Sequence, residues 1–188
     1  MQDTDRNYLS YADRDGVMLE DTSIDPELDG IDSRLAFDDI LKLSHATNFT
    51  GRRLSVYGGS ENALDMNRGC ENVLIEDSHL SGGMQCSVVI KGGCRNITLR
   101  DVILHDPAES SYDIELGGWS DQSQDQTEGI TLDHVARADG APVRVVLGNA
   151  AMPRIIGSNV KVLFWRSLAL KGYILVRSEE HTSELSHD

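Results

Sequence analysis

Residues 72–80 read NVLIEDSHL and residues 96–104 read NITLRDVIL, so one pattern begins at Asn72 and returns at Asn96. An earlier copy, NFTGRRLSV, begins at Asn48, one equal step upstream. We call this constant step, from Asn48 to Asn72 and from Asn72 to Asn96, the period. A fixed period of this size is typical of a solenoid, in which each repeat contacts mainly its neighbours. The repeat therefore predicts the architecture, whereas the function has to be argued from individual sites.

Two further copies extend the repeat towards the C-terminus. GITLDHVAR at residues 129–137 follows after a longer step, as if a loop were inserted into one period, and RIIGSNVKV at residues 154–162 follows after close to one period. Each copy is preceded by a short apolar run bounded by Gly or Asn, which predicts a second strand in every repeat. These runs are residues 40–43, 63–66, 88–90, 114–116 and 143–147.

Apolar side chains alternate within each copy, but the alternation slips by one residue in the middle. A slip turns every later side chain to the other face unless the chain bends there. We therefore expect a bend at the polar pairs Arg52-Arg53, Glu76-Asp77, Arg100-Asp101, Asp133-His134 and Ser158-Asn159. The shared place in the period predicts two buried rows, Val73 with Ile97 and Ile130, and Ile75 with Leu99 and Leu132.

The bend divides each copy into two strands, and the preceding apolar run adds a third. With three strands in each period around an apolar centre, residues 40–163 resemble the right-handed parallel β-helix of the pectin lyase-like superfamily. The resemblance implies an all-β solenoid of about five coils with N-terminal and C-terminal capping segments. The superfamily includes polysaccharide lyases, glycoside hydrolases, epimerases, adhesins and phage tail proteins, so it indicates architecture more than chemistry. The alternative is an antiparallel β-sandwich, whose strands have no reason to repeat at a constant period.

The chain divides into four expected regions. They are an acidic N-terminal arm or cap at 1–39, the β-helix at 40–163, an apolar C-terminal cap or association segment at 164–177, and a tail at 178–188. The tail is polar and aperiodic and resembles the translation of a sequencing adapter. We expect it to be disordered or artefactual and to add nothing to stability.

The net charge of −14 is concentrated at the two ends of the chain. Residues 1–39 carry −9, residues 178–188 carry −4 and the repeat region between them carries only −1. Nucleic acid is not expected as a partner, because phosphate binding needs clustered Lys and Arg. No apolar run reaches membrane-spanning length, and the first residues show no signal peptide. This is compatible with cytoplasmic synthesis and virion assembly.

The cysteines follow the repeat in part. Cys70 and Cys94 lie one period apart, so we expect them to stack in adjacent repeats as reduced thiols. Cys86 has no partner at that spacing. Because no CxxC pair exists, a cysteine metal site is not predicted.

Seven residues form the candidate glycan-binding set on the outward face of the first strand of each repeat and the loop beside it: Asp65, Asn67, Lys91, Asp113, Glu115, Trp119 and Arg144. Acids and bases mixed on one face suit a polar polymer. The resemblance implies that carboxylates on such a face hold Ca²⁺ while a Lys or Arg abstracts a proton, although no catalytic residue is assigned. The alternative is a solvated face, with Trp119 folded back over apolar surface.

Two other motifs carry weaker predictions. DPELDGID at residues 25–32 begins like an EF-hand loop, but Ala36 stands where the bidentate Glu belongs. We interpret it as an acidic loop that leads into the N-terminal cap. His45, His79, His105 and His134 do not fall on one row, so no joint histidine site is predicted.

Three classes of function are compatible with these features. The first is a non-catalytic structural or binding β-helix, such as a phage tail or head-decoration component that contacts glycans or partner subunits. The second is a polysaccharide lyase-like or hydrolase-like enzyme acting on acidic polysaccharide, and the third is a fragment of such an enzyme. The first is favoured because no export signal is seen and five coils make a short groove. Residues 162–176 are the expected surface for self-association or for other structural subunits.

Overall fold

The computed structural model describes residues 6–82, 85–105, 112–118, 126–164 and 174–176. Within these ranges the chain forms strands joined by turns, one 3₁₀ turn at Pro26–Asp29 and one helical turn, α1 (Ser33–Ala36). The strands are β1 (Asn7–Ala12), β2 (Met18–Glu20), β3 (Ser23–Ile24), β4 (Asp39–Ser44), β5 (Thr50–Arg52), β6 (Ser55–Tyr57), β7 (Asn62–Asn67), β8 (Glu71–Ser81), β9 (Cys86–Ile90), β10 (Arg95–His105), β11 (Ile114–Leu116), β12 (Glu128–Asp133), β13 (Ala136–Arg137), β14 (Val143–Leu147), β15 (Arg154–Ile156), β16 (Val160–Phe164) and β17 (Ile174–Val176). The fold is all-β, as the sequence predicts.

The strands belong to two sheets, and the chain passes from one sheet to the other in each repeat. The first sheet has the order β1-β4-β7-β9-β11-β14-β16-β17, and the second has the order β15-β12-β10-β8-β5-β2, with β3, β6 and β13 beside this path. Every described pairing between these strands is parallel except that of β16 with β17. Parallel pairing argues against the antiparallel sandwich.

The register confirms both predicted apolar rows. Ile97 pairs with Val73 on one side and with Ile130 on the other, and Leu99 pairs in the same way with Ile75 and Leu132. All of these side chains are at most 2% exposed. Residues from both sheets join in a single buried apolar cluster.

The predicted register of the last copy, residues 154–162, is wrong by two residues. Alignment of the copies places Ile156 beside Thr131, whereas Thr131 pairs with Arg154. Gly157, with φ 54°, forms the bend next to His134, and a Cβ at this position would clash with the His134 ring. Val160 therefore leaves the second sheet and pairs with Val143 in the first.

One further repeat precedes the copies that the period identifies, and it lies within the first 39 residues. Strands β1, β2 and β3 pair with β4, β5 and β6 at one constant offset, for example Leu9 with Leu41 and Ser23 with Ser55. This offset exceeds the period because the 3₁₀ turn and α1 lie between β3 and β4. The region at 1–39, expected as an arm or cap, thus contains strands of both sheets.

The slip in the apolar alternation corresponds to a column of residues with left-handed backbone. Arg53, Asp77, Asp101 and His134 have φ between 50° and 52°, and each is the second residue of a polar pair. A single left-handed residue redirects the strand, so that apolar side chains on both sides of it reach the core. Such a conformation costs a non-glycine residue free energy, which the surrounding structure has to offset.

The asparagine that leads three of the copies marks a second left-handed column. Asn48, Asn72 and Asn96 have φ between 53° and 56°. The amide of Asn96 donates to Asn72 Oδ1 and that of Asn72 to Asn48 Oδ1, each at 3.2 Å. Asparagine tolerates this backbone region and its side chain links neighbouring repeats, which explains the residue at this place in the period.

Candidate functional site

A buried polar cluster lies on one face of the first sheet. We define the polar cluster as Asp39, Lys42, Asn62, Asp65, Asn67, Lys91 and Glu115. The register brings Lys42 of β4 beside Asp65 of β7, and Val89 of β9 stands between Asp65 and Glu115 of β11. Apart from Lys91, these residues are at most 8% exposed. Buried charges require close partners, because an unpaired buried charge costs several kcal/mol, to order of magnitude.

Lys42 is the central cation of the polar cluster. Its Nζ lies 3.6 Å from Asp39 Oδ2 and 3.5 Å from Asp65 Oδ2, and its side chain is 2% exposed. Asp39 also accepts a hydrogen bond of 2.8 Å from the amide of Asn62. The ammonium group therefore pairs with carboxyl groups that come from two successive repeats.

Lys91 is the one solvent-accessible member of the polar cluster, with 37% of its side chain exposed. Its Nζ lies 3.5 Å from Asp65 Oδ1, while the amide of Asn67 donates to Asp65 Oδ2 at 2.9 Å. Asp65 Oδ1 and Asn67 Oδ1 accept no hydrogen bond from the described residues. Lys91 thus links the polar cluster to solvent, whereas the two acceptor oxygens are themselves buried.

Burial also changes the proton affinities of the carboxyl groups. Loss of solvent, reinforced by the carboxylate of Asp65, raises the pKa of Asp39 to about 7. Burial likewise raises the pKa of Glu115, whose Oε2 accepts a hydrogen bond of 3.1 Å from the hydroxyl of Tyr112. Burial lowers the pKa of Lys91, but Asp65 and Asp39 outweigh it, so that the net shift is upward and the ammonium stays charged.

Because the pKa of Asp39 is raised, its contribution to stability is greatest in acid. In the unfolded chain the carboxyl ionises near its ordinary value of about 4. In the folded chain it holds its proton up to about pH 7. The free energy of unfolding contributed by this group therefore falls as the pH rises through this window.

We expect Asp39→Asn to remove that part of the pH dependence. The measurement is urea unfolding at pH 4.5 and 7.5, and the variant should gain stability relative to wild type at the higher pH. Asp77→Asn, at an exposed bend, is the matched control and should follow wild type. An unchanged difference between the two pH values in Asp39→Asn would show that the carboxyl is already ionised in the fold.

A second buried ion network holds Asp113, just before β11. Arg137 donates to Asp113 Oδ1 at 2.8 Å, and Arg144 donates to the same oxygen at 2.7 Å and, through its Nε, to Oδ2 at 3.1 Å. Arg137 also binds Asp139 through Nε and Nη2, at 3.0 and 2.7 Å. Asp113 is 1% exposed, so its charge is matched inside the protein.

The structure separates the predicted glycan-binding residues into these two networks. Asp65, Asn67 and Lys91 meet in the polar cluster near Glu115, whereas Asp113 and Arg144 meet in the second network. Trp119 lies outside the described residues. The sequence analysis placed these residues on an outward face, with a solvated face as the alternative, but Asp65, Asp113 and Glu115 are at most 4% exposed. Their role in glycan binding remains a prediction.

The sequence analysis missed five residues of these two networks: Asp39, Lys42, Asn62, Arg137 and Asp139. The signal for Lys42 was present, because it stands in the run 40–43 at the place that Asp65 holds in the run 63–66. Arg137 replaces the leucine of earlier copies at an inward position, and the register pairs it with Leu104.

The polar cluster does not match a calcium site. Ca²⁺ takes six to eight oxygen ligands, whereas two ammonium groups lie about 3.5 Å from Asp65. Across the described ranges, no group of three or more His, Cys, Asp or Glu side chains is arranged to hold a metal ion. In the segment 25–32, Asp25 caps the 3₁₀ turn and Asp29 accepts from the hydroxyl of Tyr8 at 2.7 Å. These two carboxylates therefore serve local structure.

The second sheet carries a ladder of alternating charge that sequence analysis missed. In register across five strands stand Glu20, Arg52, Glu76, Arg100 and Asp133. Arg52 lies 3.0 Å from Glu20 and 2.6 Å from Glu76, and Arg100 lies 3.0 Å from Asp133. Each charge thus lies beside an opposite charge, and the three inner ones lie between two, which favours this register over a shifted one.

The cysteines are buried and free. The thiol of Cys70 donates to the carbonyl of Asn67 and that of Cys94 to the carbonyl of Lys91, so both occupy the same place in successive repeats, as predicted. Burial raises the pKa of Cys86 well above its ordinary value. This disfavours the thiolate that metal binding and nucleophilic attack need.

Within the part of the chain that the structure describes, no helix is long and apolar enough to cross a membrane. Comparison with protein-family models, with curated proteins and with solved structures finds no significant match to this chain.

Proposed function

We propose that the chain is a right-handed parallel β-helix of the pectin lyase-like type that serves as a non-catalytic structural or binding module. The right-handed path is supported by the parallel pairing of both sheets, because crossover connections between parallel strands are almost always right-handed. A phage tail or head-decoration component that contacts glycans or partner subunits is the setting that we favour.

The observation that carries this proposal is mutual neutralisation on the candidate face. Lys42 lies between Asp39 and Asp65, and Asp113 lies between Arg137 and Arg144. A catalytic acid or base has to reach the substrate proton directly or through one water molecule. Side chains that are buried and paired in this way support architecture more than proton transfer.

A second function, polysaccharide lyase-like catalysis, is favoured by one specific feature. Lys91 is accessible, and it stands among carboxyl groups of raised pKa, as catalytic groups often do. In this alternative Lys91 would have to lose its ammonium proton before it could remove the sugar proton, and its raised pKa opposes that loss.

Assays on acidic polysaccharides distinguish the two functions. Pectate, alginate and chondroitin are incubated with the protein and Ca²⁺, and unsaturated products and new reducing ends are followed in parallel. We expect neither product. Turnover that is lost in Lys91→Ala but kept in Arg95→Ala, an exposed cation of the second sheet, would overturn the proposal and establish the lyase.

Association with other subunits is tested separately by light scattering of the purified chain. By analogy with the fold class we expect a defined oligomer, because phage β-helix components often assemble as trimers. A monomer at all concentrations that also binds none of the three polysaccharides in a pull-down would contradict a role in assembly or binding.

A further inference from the structure

Two histidines meet on the surface of the second sheet, away from the polar cluster. His79 of β8 and His105 of β10 come from neighbouring strands, and His79 Nδ1 lies 3.1 Å from His105 Nε2. His79 is exposed and His105 is half-buried. The two rings are close to parallel, with 30° between their planes and 5.4 Å between their centroids. The sequence analysis did not join them, because they stand two residues apart in the repeat.

We propose that His79 and His105 form a two-histidine site for a divalent transition-metal ion such as Zn²⁺, Ni²⁺ or Cu²⁺. Imidazole nitrogen is the ligand that these ions share. With metal–nitrogen bonds of about 2.0–2.1 Å, nitrogens 3.1 Å apart subtend about 100° at the ion. This angle lies between the octahedral value of about 90° and the tetrahedral value of about 109°.

Metal binding replaces the hydrogen bond between the two rings. In the neutral pair, one of the facing nitrogens carries a proton and donates it to the other. For both to bind a metal, that proton leaves the facing nitrogen, and the other nitrogen of the same ring takes up a proton from solvent. Both rings then remain neutral imidazoles, which is the form that binds metal.

The surroundings of the pair favour a cation. Ser81 pairs with His105, and Ser55 and Ile103 pair with His79, so none of these described cross-strand neighbours is a Lys or an Arg. Tyr57 stands beyond Ser81 in the same register, with its ring 6.2 Å from that of His105. The hydroxyl of Ser81, the phenol of Tyr57 and water are the candidate oxygen ligands for the remaining coordination positions.

A bound ion joins β8 to β10, and because the site exists only when these strands are paired, the ion stabilises the folded chain.

The test is titration of the full chain, without an affinity tag, with Zn²⁺ and with Ni²⁺ by calorimetry. The variants are His79→Gln, His105→Ala and the control His45→Ala, an exposed histidine that lies beside Asp13. His181 and His187 are present in every protein, so their contribution cancels. We expect both pair variants to lose one site or at least tenfold in affinity, and His45→Ala to bind like wild type. Equal binding by all four proteins would overturn the proposal.

A second measurement does not depend on any variant folding correctly. In wild type labelled with ¹⁵N at histidine, Zn²⁺ should shift the resonances of His79 Nδ1 and His105 Nε2 together, while those of His45 stay in place. Ca²⁺, which takes oxygen ligands, should shift neither. Resonances of the pair that do not respond to Zn²⁺, or that respond equally to Ca²⁺, would contradict a transition-metal site.

Discussion

Leu99→Asp is expected to prevent folding at room temperature. The Leu99 side chain is fully buried and lies in register between Ile75 and Leu132. An aspartate there either loses its solvation without a partner or takes up a proton, and both cost several kcal/mol, to order of magnitude. Because a domain of this size is stable by only about 5–15 kcal/mol, we expect a large loss of strand signal in far-ultraviolet circular dichroism.

Thr98→Asp is the matched control for Leu99→Asp. Thr98 is the preceding residue of β10, is half-buried and points to the opposite face of the same strand. We expect it to fold with a urea midpoint close to that of wild type. If both variants unfold, the strand itself is intolerant of aspartate. If neither does, the assignment of Leu99 to the core is wrong.

Lys42→Met has the second largest expected effect, a loss of about 3–5 kcal/mol in the free energy of unfolding at pH 7.5. Methionine preserves most of the side-chain volume but removes the ammonium that lies between Asp39 and Asp65. Asp39 then loses its close ammonium partner and Asp65 keeps only the partly exposed Lys91 as its cation. The buried carboxyl groups therefore have to hold excess negative charge or take up protons. Urea unfolding measures the loss directly.

Two further variants separate this electrostatic effect from lost packing. Adding Asp39→Asn to Lys42→Met removes one of the orphaned carboxylates, and we expect it to restore part of the lost stability. Arg14→Met, at an exposed cation, should change the stability little. A loss below about 1 kcal/mol in Lys42→Met would mean that the buried ion pair is worth no more than a surface pair.

The sequence predicted the apolar rows because the constant period fixes which side chains share a row. It failed where the chain changes its spacing. Gly157 ends the second-sheet strand two residues early relative to the preceding copy, and the longer offset at the N-terminus conceals β1, β2 and β3. Pairing in the sheet depends on hydrogen bonds between strands, whereas a repeat is evident in the sequence only where the turns have equal lengths.

The candidate site was only half predictable, because polarity was interpreted as exposure. Asp65 and Glu115 alternate with core residues, and alternation places such residues on the opposite face of the strand. Alternation cannot show whether that face of the sheet is exposed to solvent. Ion pairs such as Lys42 with Asp65 make burial tolerable, and finding them requires residues from two repeats to be aligned first.

The unequal spacing has a consequence for how such a chain can change over evolutionary time. Where β10 pairs with β12, the chain between the two strands is longer than one period requires, yet every partner in the ladder is kept. The segment between β3 and β4 shows the same tolerance. Insertions at these two junctions alter neither the rows nor the ion pairs. Loops there can lengthen, shorten or be exchanged by recombination. New binding surfaces can then arise without changes in the paired strands.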